Sequence, residues 1–291
     1  MSSKLVLGTA QFGLDYGITN LSGQIQDREA YEILKLAKKN KIDSIDTAIS
    51  YGQSESRLGV LGVEEFKIIT KLPEFPIDEL EITNWTQIQI FNSLKKLNVN
   101  QLEGVLIHRP QQLFSKIGRE MFKTLYSLKR EGVIKKIGIS IYSPLELETL
   151  VKEFNFDIVQ APINIFDNRL ENSNWLSRLK DLGVEVYARS IFLQGLLLLQ
   201  PNKLPTKFKP WESLFLKWNA WLSLNPEVSG IETCLKYVSN KPGVTKIIFG
   251  VDNTKQLNEV IKAYDYSREI MFPQFLINDD KLLNPFNWHK L

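Results

Sequence analysis

Short apolar runs alternate with amphipathic segments along nearly the whole chain, a pattern that few architectures accept. Eight runs read as strands: 5–8 (LVLG), 44–48 (SIDTA), 67–71 (KIITK), 104–108 (GVLIH), 136–140 (KIGIS), 157–161 (DIVQA), 184–188 (VEVYA) and 246–250 (KIIFG). They are short, rich in β-branched residues and apolar on both faces, as strands are when helices cover one side and a packed interior the other. The segments between them carry helical periodicity. Residues 27–40 place Ala30, Ile33, Leu34 and Ala37 on one stripe, with Asp27 as the expected N-cap. Residues 84–98 place Ile88, Phe91, Leu94 and Leu97 likewise, opened by Thr83 or Asn84. Further helices are expected at 116–130, 144–153, 171–182 and 253–264. Two more fit within 210–240, broken near Asn225-Pro226 because proline tends to end a helix. Eight strands, each followed by a helix, point to a closed parallel (β/α)₈ TIM barrel in preference to an open doubly wound sheet. The 291 residues suit one such α/β domain spanning 1–291, with extra helices after the seventh strand. A tail after Arg268 departs from the repeat, and its aromatics predict packing on the body.

Composition removes several classes of function. Net charge is +3 and no Lys/Arg stripe is interleaved with aromatics, which argues against nucleic acid. Cys234 is the single cysteine, so neither an intramolecular disulfide nor a cysteine-built zinc site is expected. His108 and His289 are the only histidines, too few for a His-built metal centre. The apolar run at 196–199 is far too short to span a bilayer, and the opening residues lack a secretory pattern. A cytoplasmic protein with no membrane partner is the expectation. No segment marks a dimer seam; Trp211, Trp218 and Trp221 read as packing residues, and the oligomeric state stays open.

In a barrel of this kind, functional groups gather at the C-terminal strand ends. The second strand ends at Asp46, followed by Tyr51 in DTAISYG; the third ends in Lys71, the fourth in His108, the fifth in Ser140, and Gln160 lies on the sixth. An acid, a phenol, an amine and an imidazole therefore converge on one mouth. That set suits proton delivery to a carbonyl oxygen. A nearby ammonium favours a phenolate, so Lys71 is expected to lower the Tyr51 pKa while Asp46 holds Lys71 charged. A neutral His108 would orient the carbonyl by a hydrogen bond. None of these groups donates hydride, which must come from a cofactor. Singly, each residue has a plainer reading: Asp46 and Lys71 as a structural ion pair, Tyr51 as a loop aromatic, His108 as a satisfied strand-end residue.

DTAISYG, Lys71 closing IITK and His108 in LIHRP together resemble the aldo-keto reductase superfamily. The resemblance runs along nearly the whole chain, through LGTAQFG, YGQSESRLG, LKREGVIKKIGIS and VQAPIN. It implies an NAD(P)H-dependent reduction of an aldehyde or ketone, with Tyr51 as general acid, Lys71 and Asp46 tuning it, and His108 positioning the carbonyl. It places the nicotinamide carboxamide near Asp46, Ser140 and Gln160, with Gly8, Thr9 and Ala10 beside the cofactor. Arg189, Ser190 and Gly195 lie in the segment that follows the seventh strand, with Arg189 at the position where relatives stack a tyrosine on nicotinamide. Gly250, Gln256 and Glu259 would surround the phosphates and adenosine, assisted by a helix N-terminus that offers N–H groups to phosphate.

The chain departs from the pattern in several places. Ile141 stands where relatives carry Asn, and Gln256, near Asp252 and Lys255, replaces a basic residue that grips the 2′-phosphate. NADP(H) is nevertheless expected ahead of NAD(H). The RSIFLQGLLLL segment and the Leu283 to Trp288 ending are similar to bacterial reductases of surface-sugar biosynthesis, implying a sugar-like carbonyl substrate. Arg109 and Arg189 near the mouth suit an anionic one, unless Arg109 turns away into a salt bridge and Arg189 serves the cofactor. Two other functions compete. One is an aldolase or lyase with Lys71 as Schiff-base amine. The other is a cofactor-binding regulatory subunit that has lost turnover.

Overall fold

A computed structural model describes residues 3–20, 22–76, 81–265 and 269–291, so Arg268, where the tail was expected to begin, lies outside the described residues. Eight parallel strands close into a barrel in chain order. They are β1 (Leu5–Gly8), β2 (Ser44–Asp46), β3 (Lys67–Leu72), β4 (Gly104–Ile107), β5 (Ile137–Ser140), β6 (Ile158–Pro162), β7 (Glu185–Arg189) and β8 (Val244–Gly250). The barrel shuts where β1 meets β8, pairing Leu5 with Ile247 and Gly8 with Gly250. All eight expected strands are present, with ends displaced by one or two residues.

Strand periodicity explains how this barrel carries a site. Val6, Ile69, Leu106, Ile158, Tyr187 and Ile248, one from each of six strands, form a separate apolar cluster that fills the lumen. Side chains two residues apart share a strand face. The next inward layer therefore holds Gly8, Lys71, His108, Gln160, Arg189 and Gly250. Apolar packing stops at one layer and polar chemistry starts at the next. The alternate strand residues, such as Leu5, Leu7, Ile45, Ile68, Val105 and Ile139, face outward and join the larger core beneath the helices.

The helices depart from expectation where side chains answer to neighbours instead of to periodicity. Helix Asp27–Lys39 buries the expected Ala30, Ile33, Leu34 and Ala37. Its cap position is Gln26, however, because the Asp27 carboxylate is drawn to Arg57. Helix Ile82–Leu97 starts two residues early and presents Thr86, Ile90, Ser93, Leu94 and Leu97 inward. Ile88 and Phe91, expected in the core, are about half exposed. The cause is polar: Ser93 Oγ donates to the buried Glu55 carboxylate at 2.9 Å, which turns that face inward. The expected 144–153 helix opens with a 3₁₀ turn, Pro144–Glu146, before Leu147–Glu153. The expected 171–182 helix is two pieces, Arg169–Asn172 and Trp175–Asp181, parted at Asn174, whose φ is +62°.

After β7 come three short 3₁₀ turns and then two helices, Glu212–Leu224 and Gly230–Ser239, separated at Asn225-Pro226 as expected. Trp218 is fully buried and stacks on Trp221, and Trp211 donates from Nε1 to Asp279, so all three act in packing. The described part of the tail also packs, burying Leu282, Leu283 and Trp288. Among the described residues no helix is long and apolar enough to cross a membrane.

Candidate active site

At the C-terminal mouth a continuous hydrogen-bond chain joins four strands. Lys71 Nζ donates to Asp46 Oδ2 at 2.6 Å and to the Thr47 carbonyl at 2.8 Å, and lies 3.4 Å from the Tyr51 hydroxyl. Asp46 Oδ1 accepts from Gln160 Nε2 at 2.7 Å, and Ser140 Oγ donates to Gln160 Oε1 at 3.3 Å. The Lys71 side chain is 1% exposed and that of Asp46 6%, so the ion pair is sealed from water. The His108 ring meets Tyr51 edge-on, with centroids 6.2 Å apart, and its Nδ1 is 3.3 Å from Ser50 Oγ.

Local sequence fixes where Tyr51 stands. Gly52 has φ +56°, and a Cβ there would come within 2.4 Å of the Gly13 carbonyl oxygen. A Cβ on Gly13 would in turn fall 1.8 Å from the Tyr51 carbonyl oxygen. The two glycines let the loops after β1 and β2 touch backbone to backbone, which sets the phenol over the barrel. Ser54 locks the same junction. Its hydroxyl donates to the Thr9 carbonyl at 2.9 Å and lies 3.1 Å from Thr47 Oγ1.

Burial governs the electrostatics. It lowers the Lys71 pKa, with Asp46 pulling the other way. His108 is held down at about 3, first by burial and then by the charges of Lys71, Arg109 and Arg189, so the imidazole is neutral. The Tyr51 pKa is raised by burial and by the Asp46 carboxylate. This corrects the sequence expectation of a lowered phenol. Desolvation and the Asp46 carboxylate outweigh the lowering pull of Arg189.

Above this group opens a cavity of about 540 Å³, well within the range of ligand and cofactor clefts. Asp46, Tyr51 and His108 line it, and so do Gly8, Thr9, Ala10, Ser140, Gln160, Arg189, Ser190, Gly195, Gly250, Gln256 and Glu259. Of the expected site residues only Lys71 is absent from the lining, because it lies beneath the surface, bonded to Asp46. Sequence reading missed Gln11, Tyr16, Thr19, Asn20, Tyr142, Phe192, Gln194 and Asn219. The usable signal was position, since Tyr16 and Tyr142 follow closely on the ends of β1 and β5.

The helix Thr254–Asp265 was expected to offer N–H groups to phosphate, and three N–H groups at its entry already have side-chain partners. The Thr254 N–H donates to Glu29 Oε1 at 2.6 Å, that of Gln256 to Asn253 Oδ1 at 2.9 Å, and that of Asp252 to Gln256 Oε1 at 2.7 Å. Among the described residues Arg109 is in no salt bridge. Its guanidinium lies 4.0 Å from the Phe286 ring centroid and 5.7 Å from that of Tyr142. Arg189 stacks over Tyr142 at 4.3 Å and donates to the Ile141 carbonyl at 2.9 Å and to Ser190 Oγ at 3.1 Å.

Comparison with known proteins agrees with the barrel fold. Residues 4–271 match the family model described as "Aldo/keto reductase family". The uncharacterized oxidoreductase YqkF of Bacillus subtilis is 27% identical over 285 residues, covering 91% of this chain and 92% of its own. The glyoxal reductase of the same organism is 30% identical over 184 residues, covering 58% and 60%. Among solved structures, the holo form of aldo-keto reductase AKR11C1 from Bacillus halodurans superposes with a TM-score of 0.74 at 20% identity, covering 92% of this chain and 89% of that one. Aldo-keto reductases use nicotinamide cofactors, and the lining fits one: Ser140 and Gln160 bring a hydroxyl and an amide to the cavity, and Gly8, Gly195 and Gly250 line it without side chains. By the extent of the family match and by the barrel that carries it, the chain belongs to the aldo/keto reductase family and is an oxidoreductase enzyme.

Proposed function

We propose that the protein reduces an aldehyde or ketone to an alcohol, with Tyr51 as the proton donor. The observation that carries the reading is the chain Gln160–Asp46–Lys71–Tyr51, with His108 against the phenol, under one cavity. Ser140, Gln160, Arg189, Ser190 and the glycine-lined cleft would hold a nicotinamide cofactor, which would supply the hydride for the carbonyl carbon. Negative charge then grows on the carbonyl oxygen. Tyr51, kept protonated by burial and Asp46, gives its proton to that oxygen. Lys71 Nζ faces the phenol oxygen as the proton leaves, and Asp46 and the Thr47 carbonyl hold it there. With Ser50 donating to Nδ1, the neutral His108 carries its proton on Nε2 and donates from there to the carbonyl.

Of the two nicotinamide cofactors, charge at the far end of the cavity favours NADH, which reverses the preference for NADP(H) drawn from resemblance. Asp252 and Glu259 line that end, and Arg189 is the only lysine or arginine among the described lining residues. A carboxylate suits a ribose 2′-hydroxyl and repels a 2′-phosphate. The Schiff-base reading loses ground because the Lys71 amine is sealed and spends its hydrogen bonds on Asp46 and Thr47.

The test is Tyr51→Phe in a screen of aldehydes and ketones with NADH and NADPH. Turnover should fall about 100- to 10,000-fold, with cofactor affinity, read by tryptophan quenching, held within about twofold. A Tyr51→Phe enzyme that keeps its kcat would remove the phenol from the mechanism.

A further inference from the structure

Two guanidiniums stand at the rim of this site with no acid among the described residues to answer them. Arg109 is the residue after His108, and Arg189 ends β7. Both lie over the Tyr142 ring, at 5.7 and 4.3 Å from its centroid, and Tyr142 and Arg189 line the cavity. Most other described arginines are in ion pairs: Arg57 with Asp27, Arg119 with Glu153, Arg169 with Asp167 and Asp280, and Arg178 with Glu148. Arg109 and Arg189 are in none. Arg189 spends two donors on Ile141 and Ser190, whereas Arg109 has only ring faces, Phe286 of the C-terminal tail on one contact and Tyr142 on the other.

A half-buried guanidinium held by aromatic rings keeps its in-plane N–H fork free, which is the geometry that takes a carboxylate or phosphate bidentately. Phe286 and Tyr142 also restrict the side chain, so less rotamer freedom is lost on binding. Both charges are felt at the reacting end, where they help to hold His108 neutral. We propose that the substrate carries a negatively charged group, and that Arg109 binds it against Tyr142 with Arg189 as the inner cation. This rests on the carbonyl-reductase reading and names the class of substrate that reading left open. The aldehyde or ketone would sit at Tyr51 and His108 and the anionic group at the rim, so a small neutral carbonyl engages only half of the site.

The probes are 4-carboxybenzaldehyde and its neutral isostere 4-carbamoylbenzaldehyde, compared at saturating cofactor. The wild-type enzyme should prefer the carboxylate in kcat/KM. Arg109→Met should collapse that preference about tenfold to a hundredfold, through KM more than kcat, and Arg109→Lys should restore part of it. Calorimetry with terephthalate, which has no carbonyl to reduce, gives a readout independent of turnover. Its affinity for the cofactor-bound protein should weaken at least tenfold in Arg109→Met and fall with added salt. If neither aldehyde is reduced but terephthalate binding still depends on Arg109, the reductase reading fails and the anion site stands. A wild type that turns over both aldehydes equally, or terephthalate binding unchanged in a folded Arg109→Met, overturns the proposal.

Discussion

Replacing Asp46 by Asn tests whether the buried ion pair is the hinge of the site. The substitution keeps shape and keeps an oxygen facing the Gln160 amide, but it removes the charge opposite Lys71. The Lys71 ammonium is 1% exposed, and its remaining partners are the neutral Thr47 carbonyl at 2.8 Å and the Tyr51 hydroxyl at 3.4 Å. Removing one partner of a buried pair costs about 3–5 kcal/mol, since the other charge is left uncompensated. The surviving Thr47 bond places the expected loss near the lower end, about 3 kcal/mol. The loss must also depend on pH. Burial already lowers the Lys71 pKa, and without Asp46 it falls further. Below the folded-state pKa, both folded and unfolded lysine carry the proton and the full penalty applies. As pH rises through that pKa, the folded form sheds its proton while the unfolded form keeps it up to about pH 10.4. The unfolded state then binds more protons, so the stability of Asp46→Asn rises relative to wild type. Urea denaturation at pH 6, 7.5 and 9, with the m-value checked at each, reads this directly. The gap from wild type should shrink by at least about 1 kcal/mol between pH 6 and 9. A loss under about 1 kcal/mol at pH 6, or a gap equal at both ends, would refute the reasoning.

Two further outcomes follow from charge. With its pKa held at about 3, His108 should give no imidazole inflection in the kcat/KM profile between pH 5 and 8. The unfolded chain protonates this residue below about pH 6.5, so the folded state loses stability as pH falls from there towards 3. His108→Gln should flatten that part of the denaturation curve, and a His108 ring that titrates near pH 6 by NMR would contradict the assignment. At the other end of the cavity, Asp252→Ser should improve the affinity for NADPH relative to NADH by at least about tenfold. Equal Kd ratios before and after the change would show that Asp252 does not meet the 2′-position.

The barrel was legible because its evidence is periodic. Four strands place a polar residue two positions beyond an apolar one: Lys71 after Ile69, His108 after Leu106, Gln160 after Ile158, Arg189 after Tyr187. Once the strands are recognised, the side-chain period of two assigns all four to one layer without coordinates. The misread elements each depend on a long-range polar contact. Ile88 and Phe91 form a plausible apolar stripe, but Ser93 answers to Glu55 on another helix, and nothing local announces that bond. Asp27 has the chemistry of a cap yet is claimed by Arg57, 30 residues on.

The site shows the same division between identity and sign. Sequence named Asp46, Tyr51, Lys71 and His108, because residue type and strand-end position suffice for that. It misjudged the Tyr51 pKa, because the answer is a sum of opposed effects that distance and burial weigh. An ammonium 3.4 Å from the phenol suggests a lowered value, but desolvation and the Asp46 carboxylate push up and prevail over the pull of Arg189. The difference is mechanistic. A lowered phenol would be the stronger acid, with its pKa nearer the operating pH. A raised one waits fully protonated, and releases its proton only when the carbonyl oxygen has become basic enough to take it.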